Sequence, residues 1–393
     1  MNVAHVLGYL APQYGGPPNV ALHLGREMTR FGVTGTWWAT ATAEEMKSLK
    51  GLGDRALLFP YAFPRGWHRS PALSAMLGRR GPEIDLFHLH QVWDHPVYSG
   101  ARIARSLRKP YLVTPHGIFL HRWRYRGLKK KLYLRLLARP FLNRAACLHA
   151  VSREEMEGFA EASLTAPPAL VPSGVDVAEF DSLPSRQVAH DTWPDIGRGP
   201  VVLFFGRLSP EKGLHELIAG WRIVLKCYPQ AQLVLAGPDS GGHLKQLEAA
   251  AAHFGVRGSI LMPGFIRGPR KTAVWSLATV YVQASSSEAF SISVLEALAS
   301  AKPCVITENC SFPEVARAGA GEVVEARADA LAQGLIKVLS LTDRERQDMG
   351  ERGRQLVAEN YTWDLAARKM LTVYRCILDK KPVPLYPEPA PLP

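Results

Sequence analysis

The sequence predicts an α/β protein built from two doubly wound parallel-sheet domains. Two observations carry this expectation. In both halves of the chain, short apolar runs alternate with stretches of helical period. Between the halves, Ser173 to Pro200 loses periodicity and gathers Pro184, Pro194, Gly197, Gly199 and Pro200. The length agrees, since 393 residues exceed the usual size of one core. The expected organisation is an N-terminal domain over 1–183, a second domain over 184–361, a closing helix over 362–379 packing back on the first domain, and a Pro-rich tail over 380–393.

Taken in order, Val3 to Leu10 reads as a first strand, followed by the loop Ala11 to Asn19 with Gly15 and Gly16. A helix then runs from Val20 to Phe31 and is closed by Gly32. The Gly pair suits close approach of a ligand to the backbone and equally suits a plain tight turn. Ile84 to His90, Tyr111 to Thr114 and Cys147 to Val151 read as further strands, delivering His90, His116 and Ser152 at their carboxyl ends. That is where ligands bind in open parallel sheets, so His116, held between Pro115 and Gly117, is a functional candidate. For His88 and His90, structural and functional readings stand level.

In the second half, strand Val201 to Phe205 leads into the loop Gly206 to Gly213 and a helix over Leu214 to Cys227. Strand Gln232 to Ala236, a helix from Leu244 to His253 and strand Ile260 to Met262 follow. Val280 to Thr307 then parses as strand, Ser-rich turn, helix from Ile292 to Ser300 and strand Cys304 to Thr307. Glu288 falls in its turn and Glu296 in its helix. Two readings of this stretch are open. The turn is an anion site flanked by two carboxylates that accept from hydroxyls, or Ser293 and Glu296 form a capping box, with Ser291 as the other cap. Glu322 to Val324, Ala328 to Ser340 and Thr362 to Leu378 complete the pattern as strand, helix and closing helix. The tail PVPLYPEPAPLP is expected to be extended and mobile.

Composition narrows the class. With 47% of residues apolar, each half can bury a core. The five cysteines are scattered and lack CxxC spacing, as in proteins of a reducing compartment. The N-terminus reads as a strand, not a signal peptide, and no apolar run approaches a membrane span. The expected location is cytoplasmic. Charge is uneven: residues 1–183 carry 23 Lys and Arg against 14 Asp and Glu, whereas 184–393 carry 24 against 21. Between Ile118 and Arg144 the basic residues meet no acid at all.

Arg207 and Lys212 leave their strand beside a helix start near Leu214, an arrangement that can hold a diphosphate without a metal. Neither the P-loop nor the dinucleotide fingerprint is present, and no DxD or His/Asp metal cluster is seen in the sequence.

The stretches TPHGIFL, LHAVSREE, VPSGVD, FFGRLSPEKGL and SSSEAFSISVLEALASAKPCVIT, which follow one another in the family's order, resemble the retaining nucleotide-sugar glycosyltransferases of family 4 (glycosyl transferases group 1). The resemblance runs to the closing helix. It implies the GT-B fold, two facing Rossmann-like domains with an interdomain cleft, and transfer of a sugar with retention. It also implies roles. Arg207 and Lys212 would grip the donor diphosphate, Glu296 the ribose, and Glu288 the donor sugar's hydroxyls. The backbone around Ala289, Phe290 and Ser291 would face sugar and phosphates, and His116 the sugar near the reacting carbon. Gly15 and Gly16 would let the chain approach the phosphate and acceptor, and the main chain near Gly264 and Phe265 would face the base. His116, Glu288, Arg207 and Lys212 are the expected catalytic group, with no metal or other cofactor required. Ser291 and Ser173 depart from the pattern, standing where many members have Gly and Asn.

Leu128, Leu132 and Leu136 repeat every four residues among Lys129, Lys130, Lys131, Arg135 and Arg139, with Arg122, Arg124 and Arg126 just before. A basic amphipathic helix of this kind lies on an anionic membrane and meets a lipid-linked acceptor there, or packs its Leu stripe on the domain as an ordinary surface helix. The leading expectation is an enzyme extending a lipid-linked glycan, as in surface polysaccharide synthesis. The same chemistry on a soluble acceptor, a sugar-nucleotide epimerase of the same fold and, remotely, a basic nucleic-acid-binding protein are the alternatives; nucleic acid is not an expected partner.

Overall fold

A computed structural model describes residues 1–11, 14–62, 65–120 and 128–388. The chain forms two units, Met1–Ser173 with Trp363–Pro393, and Gly174–Thr362. The expected boundary at 183/184 therefore moves ten residues earlier. The reason is packing: Val175 bridges to Thr362, and Phe180 lies edge-on to Trp275 in the core of the second unit.

The first unit holds a seven-stranded parallel sheet of β1 (Asn2–Tyr9), β2 (Thr34–Thr40), β3 (Ala56–Phe59), β4 (Leu86–His90), β5 (Tyr111–Thr114), β6 (Cys147–Ala150) and β7 (Pro168–Leu170). Their order is β3-β2-β1-β4-β5-β6-β7, so the direction of winding reverses between β1 and β4. β4, β5 and β6 are buried along their whole length, as parallel strands covered on both faces must be. The first helix, Gly16–Glu27, begins three residues before the sequence-expected loop ends. Pro17 and Pro18 occupy its first turn, where their missing N–H groups cost nothing. Gly15 caps it at φ 94°, a conformation that strains any residue with a Cβ. The closing helix, Trp363–Leu378, packs on Gly16–Glu27, where Trp363 stacks on His23, and sends Tyr374 to His88.

The second unit holds a six-stranded parallel sheet of β8 (Val201–Phe205), β9 (Gln232–Ala236), β10 (Ile260–Gly264), β11 (Val280–Gln283), β12 (Cys304–Thr307) and β13 (Gly321–Val324). The order β10-β9-β8-β11-β12-β13 reverses between β8 and β11. The span read as a linker is not structureless, for it contains a 3-10 turn, Val177–Phe180, and a helix, Arg186–Thr192, capped by Ser185.

The tail, expected to be mobile, is held down as far as Glu388. Leu170 of β7 donates its N–H to the Leu385 carbonyl, Thr372 donates to the Glu388 carbonyl, and Arg153 lies over the Tyr386 ring. Proline cannot donate to a ladder, but a Pro-rich strip still offers carbonyls to an edge strand.

The basic stripe also differs from a regular helix. Leu128–Tyr133 is α-helical and Leu134–Ala138 opens into a π turn. Pro140 has no N–H for the Leu136 carbonyl, and the wide turn falls just before it. Leu132 and Leu136 are 53% and 59% exposed beside exposed Lys129, Lys130, Lys131 and Arg135, so these leucines do not pack on the domain. Arg122, Arg124 and Arg126 lie outside the described residues. Among the described residues, no helix is long and apolar enough to cross a membrane.

Candidate functional site

In the second unit the sequence-expected residues gather where β8 and β11 end, at the reversal of strand order, the place where open α/β sheets bind ligands. The loop after β8 runs against the turn after β11. Ser286 donates its N–H to the Glu211 carbonyl at 2.9 Å, and Gly213 at φ 62° passes so close to the Ala284 carbonyl that a Cβ would collide with it. This stitching brings Lys212 onto Glu288 as an ion pair, with the two side chains 13% and 16% exposed. Arg207 meets Glu211 at 3.2 Å. Burial works against charge on Glu211, but the Ser209 hydroxyl, its own N–H, Arg207 and Lys212 outweigh it and hold this carboxyl below its ordinary range. The Glu288 turn is fixed from its other side, where Glu288 donates its N–H to the Asn309 carbonyl at 3.0 Å and Ser311 donates to the Glu288 carbonyl at 3.1 Å.

Glu296 is not a capping residue. Ser291 occupies the cap position of Ile292–Ala299 without a side-chain bond to the backbone, and instead meets the Ser293 hydroxyl at 3.0 Å. Its φ of −91° is ordinary, so a side chain at this position needs no strained backbone. The Glu296 carboxylate lies 2.9 Å from the Lys271 ammonium, which also meets Glu179 at 2.8 Å and lies over the rings of Phe180 and Phe205. Burial raises the Glu296 carboxyl above its ordinary value, and Lys271 offsets this only in part. Burial alone would lower Lys271, but Glu296 and Glu179 together hold its ammonium above the usual lysine range. Oε2 of Glu296 is buried without a hydrogen-bond partner among the described residues, as are Ser287 Oγ and Asn309 Oδ1. Buried polar atoms of this kind need a partner, which water, an ion or a ligand can supply. Gly264, at φ 75°, ends β10, and the Phe265 ring beside it is 51% exposed.

Lys271 escaped the sequence reading. It sits in no motif, and the only signal was a cation two residues after Gly268-Pro269 at a helix start.

In the first unit, Gly15 and Gly16 stand at the start of Gly16–Glu27, after β1. His116 follows β5 at φ 57° and is partly exposed. Its neighbour Gly117 donates its N–H to Glu155, which also accepts from Val151 N–H at 3.1 Å and heads its helix through the Ser152 cap. Burial pushes the Glu155 carboxyl up to about 7, against the lowering effect of those two N–H groups. A folded-state value above the unfolded 4.5 means stability is fully present below 4.5 and lost as pH rises through 7, by about 3 kcal/mol for this group. Glu155→Gln should remove that slope, flattening Tm against pH between 5 and 8. An unchanged slope would assign the titration elsewhere.

The sequence showed no metal-ligand spacing, yet strand pairing brings three imidazoles together. His5 of β1 lies opposite His88 of β4, and with His90 their nitrogens fall within 4.8 Å of one another, all buried.

Comparison with known proteins gives two family matches, "Glycosyl transferases group 1" over residues 187–356 and "Glycosyl transferase 4-like domain" over 15–174. Among relatives, the GDP-mannose:cellobiosyl-diphosphopolyprenol alpha-mannosyltransferase of Xanthomonas oryzae is 24% identical over 95% of this chain and 96% of its own. The phosphatidyl-myo-inositol mannosyltransferase of Mycobacterium leprae is 31% identical over 53% of each. Among solved structures, Anabaena HepE, crystallised with UDP and glucose, superposes with a TM-score of 0.79 at 18% identity, covering 94% of this chain and 98% of its own. Sucrose-phosphate synthase from Thermosynechococcus elongatus superposes at 0.75, also 18% identical, over 97% and 100%.

Proposed function

Because this chain belongs to the group 1 glycosyl transferases and has the GT-B fold, we propose that it transfers a sugar from a nucleoside diphosphate donor to the hydroxyl of a lipid-linked glycan, with retention and without a divalent metal. The observation that carries this reading is the pair of carboxylate–ammonium contacts, Lys212 with Glu288 and Lys271 with Glu296, beside the reversal of the second sheet. Each acid is neutralised before a ligand arrives, so a sugar hydroxyl or a ribose meets a carboxylate already fixed in place. Lys212 and Arg207 then face the diphosphate, and the charge that develops on the leaving group falls on cations that need no reorganisation. Glu296 takes the ribose, the backbone of Ala289, Phe290 and Ser291 takes the phosphates and sugar, and Phe265 lies under the base beside Gly264. In the first unit, His116 and the Gly15-Gly16 helix start stand past the carboxyl ends of β5 and β1, the edge where a parallel sheet takes its ligand.

The names of the relatives support GDP-mannose as the donor and a polyprenol- or inositol-lipid acceptor. A polysaccharide-building role follows from such an acceptor. Five unbonded cysteines agree with a cytoplasmic setting. The test is thermal shift and calorimetry with GDP, GDP-mannose, UDP, UDP-glucose and ADP, with EDTA throughout. One base should raise Tm, by about 2.7 kcal/mol of stabilisation at a hundred times its Kd. Silence with all five would remove the donor-site reading.

The exposed Leu132 and Leu136 favour a membrane-bound acceptor over a soluble one. Replacing Lys129, Lys130 and Lys131 by Gln should weaken binding to phosphatidylserine vesicles roughly 100-fold, at about 1 kcal/mol per lysine, while nucleotide binding is unchanged. Vesicle binding that survives the triple substitution favours the soluble acceptor.

A further inference from the structure

Four imidazoles lie on three strands of the first sheet, His5 on β1, His88 and His90 on β4 and His149 on β6, with His116 just past the end of β5. They form two hydrogen-bonded arms. Burial keeps every one neutral, with His5 and His116 lowered to about 3, His149 to about 4, and His88 and His90 well below the usual range. A neutral imidazole has one N–H and one lone pair, so each arm has a direction.

The direction of the first arm is forced. His149 Nε2 lies 2.7 Å from the Val171 carbonyl, which can only accept, so Nε2 carries the proton and Nδ1 accepts from the Thr114 hydroxyl at 2.7 Å. Thr114 therefore accepts from His88 Nε2–H at 2.7 Å, and His88 Nδ1 accepts from the Tyr374 hydroxyl at 2.7 Å. The only lone pair of His88 is thereby occupied. That argues against a metal on His5, His88 and His90, although their spacing would suit one.

In the second arm His5 Nδ1 lies 3.0 Å from His90 Nε2, and His90 Nδ1 lies 3.0 Å from His116 Nε2. It can run either way. If His116 donated inward, His90 would donate to His5, and His5 would hold its proton on Nε2, which meets no hydrogen-bond partner among the described residues. Run outward, His5 leaves only a lone pair unmet there. His5 is only 1% exposed, and there an N–H without a partner costs more than an unmet acceptor, which favours the outward direction. His116 Nε2 then accepts, and its proton sits on Nδ1, the nitrogen left for a ligand at the carboxyl end of β5.

We propose that His5 and His90 are positioning residues that lock His116 in the Nδ1–H form, so that it offers a hydrogen-bond donor, and not a base, to a ligand oxygen at the carboxyl end of β5. The ligand at the end of this arm rests on the glycosyl-transfer reading, whereas the proton positions do not.

Nitrogen NMR of the full chain labelled with ¹⁵N-histidine separates the two tautomers. His5, His90 and His116 should appear as Nδ1–H, the minor form of free histidine, and His88 and His149 as Nε2–H. His5→Asp puts an acceptor where His5 donated. It should move the proton of His116 to Nε2 and lower the transfer kcat at least tenfold, while the thermal shift with GDP stays in place. His5→Asn, which can still donate, should keep both the tautomer and the rate. An Nε2–H signal from His116 in the unaltered protein, or about one zinc per chain with metal-shifted imidazoles, overturns the proposal whether or not His5→Asp folds. The stated tautomers in a protein that transfers no sugar would leave the arm standing and sink the glycosyl-transfer reading instead.

Discussion

Lys212→Ala is expected to lower kcat for sugar transfer by roughly 10²–10³, the cost of removing one preorganised charge from a developing anion. Two losses coincide in this variant. The leaving diphosphate loses a cation, and Glu288 loses the ammonium that neutralises it, so a bare carboxylate repels the phosphates it stands beside. Lys212→Arg should not restore the rate, because the pocket is 87% closed around the lysine and was shaped for one ammonium, not a planar fork. Glu288→Gln separates the two losses. It removes the repulsion but leaves the cation, so the double variant Lys212→Ala with Glu288→Gln should be more active than Lys212→Ala alone. Steady-state kinetics on the four proteins of this cycle decides it, and strictly additive effects would mean that the pair does not act as a unit.

The second large effect is expected at Lys271. Lys271→Met strands a carboxylate that is buried and already has one oxygen without a partner, at a cost of about 3 kcal/mol in stability of the second unit. The sign of the pH dependence follows from the raised Glu296 carboxyl. A folded value above the unfolded one gives stability that is full in acid and lost as pH rises through the folded value. Without Lys271 that value climbs further. The variant should therefore match the parent protein most closely near pH 5 and fall away from it toward pH 8 in urea unfolding. Adding Glu296→Gln should recover most of the stability and none of the nucleotide affinity, which is expected to drop at least tenfold. A Lys271→Met protein equally destabilised at every pH would show that the lysine packs and does not compensate charge.

How far the sequence could be read depended on whether a feature was local. β5, β8, β9 and β12 are runs of apolar residues bounded by breakers, and they stand at the positions the pattern indicates. β2 reads TGTWWAT, and its threonines and glycine hide a strand whose tryptophans are nonetheless buried, one of them donating to the Ala21 carbonyl at 2.8 Å. The long helix Asp343–Asn360 was missed because it buries little but Gly350, Gly353 and Val357. Its contact depends on small residues that let backbones approach, not on an apolar stripe. The same limit applies to the site. Arg207, Lys212, Glu288 and Glu296 stand in motifs and were legible. Lys271 reaches Glu296 across 25 residues and Tyr374 reaches His88 across 286, and no local pattern encodes either meeting.

That last separation bears on how the protein is made. The first unit is closed by the final stretch of the chain, so its sheet leaves the ribosome long before Tyr374 does. At about 5–20 residues per second, His88 waits roughly 15–60 seconds for the hydroxyl that occupies its lone pair, while all of Gly174–Thr362 is synthesised. Near the end of that interval the second unit has its whole sequence in hand and the first does not. Translation should therefore yield the C-terminal unit as the earlier folded one, and a nascent chain stalled before Trp363 should expose β4 and its histidines to chaperones or to stray metal.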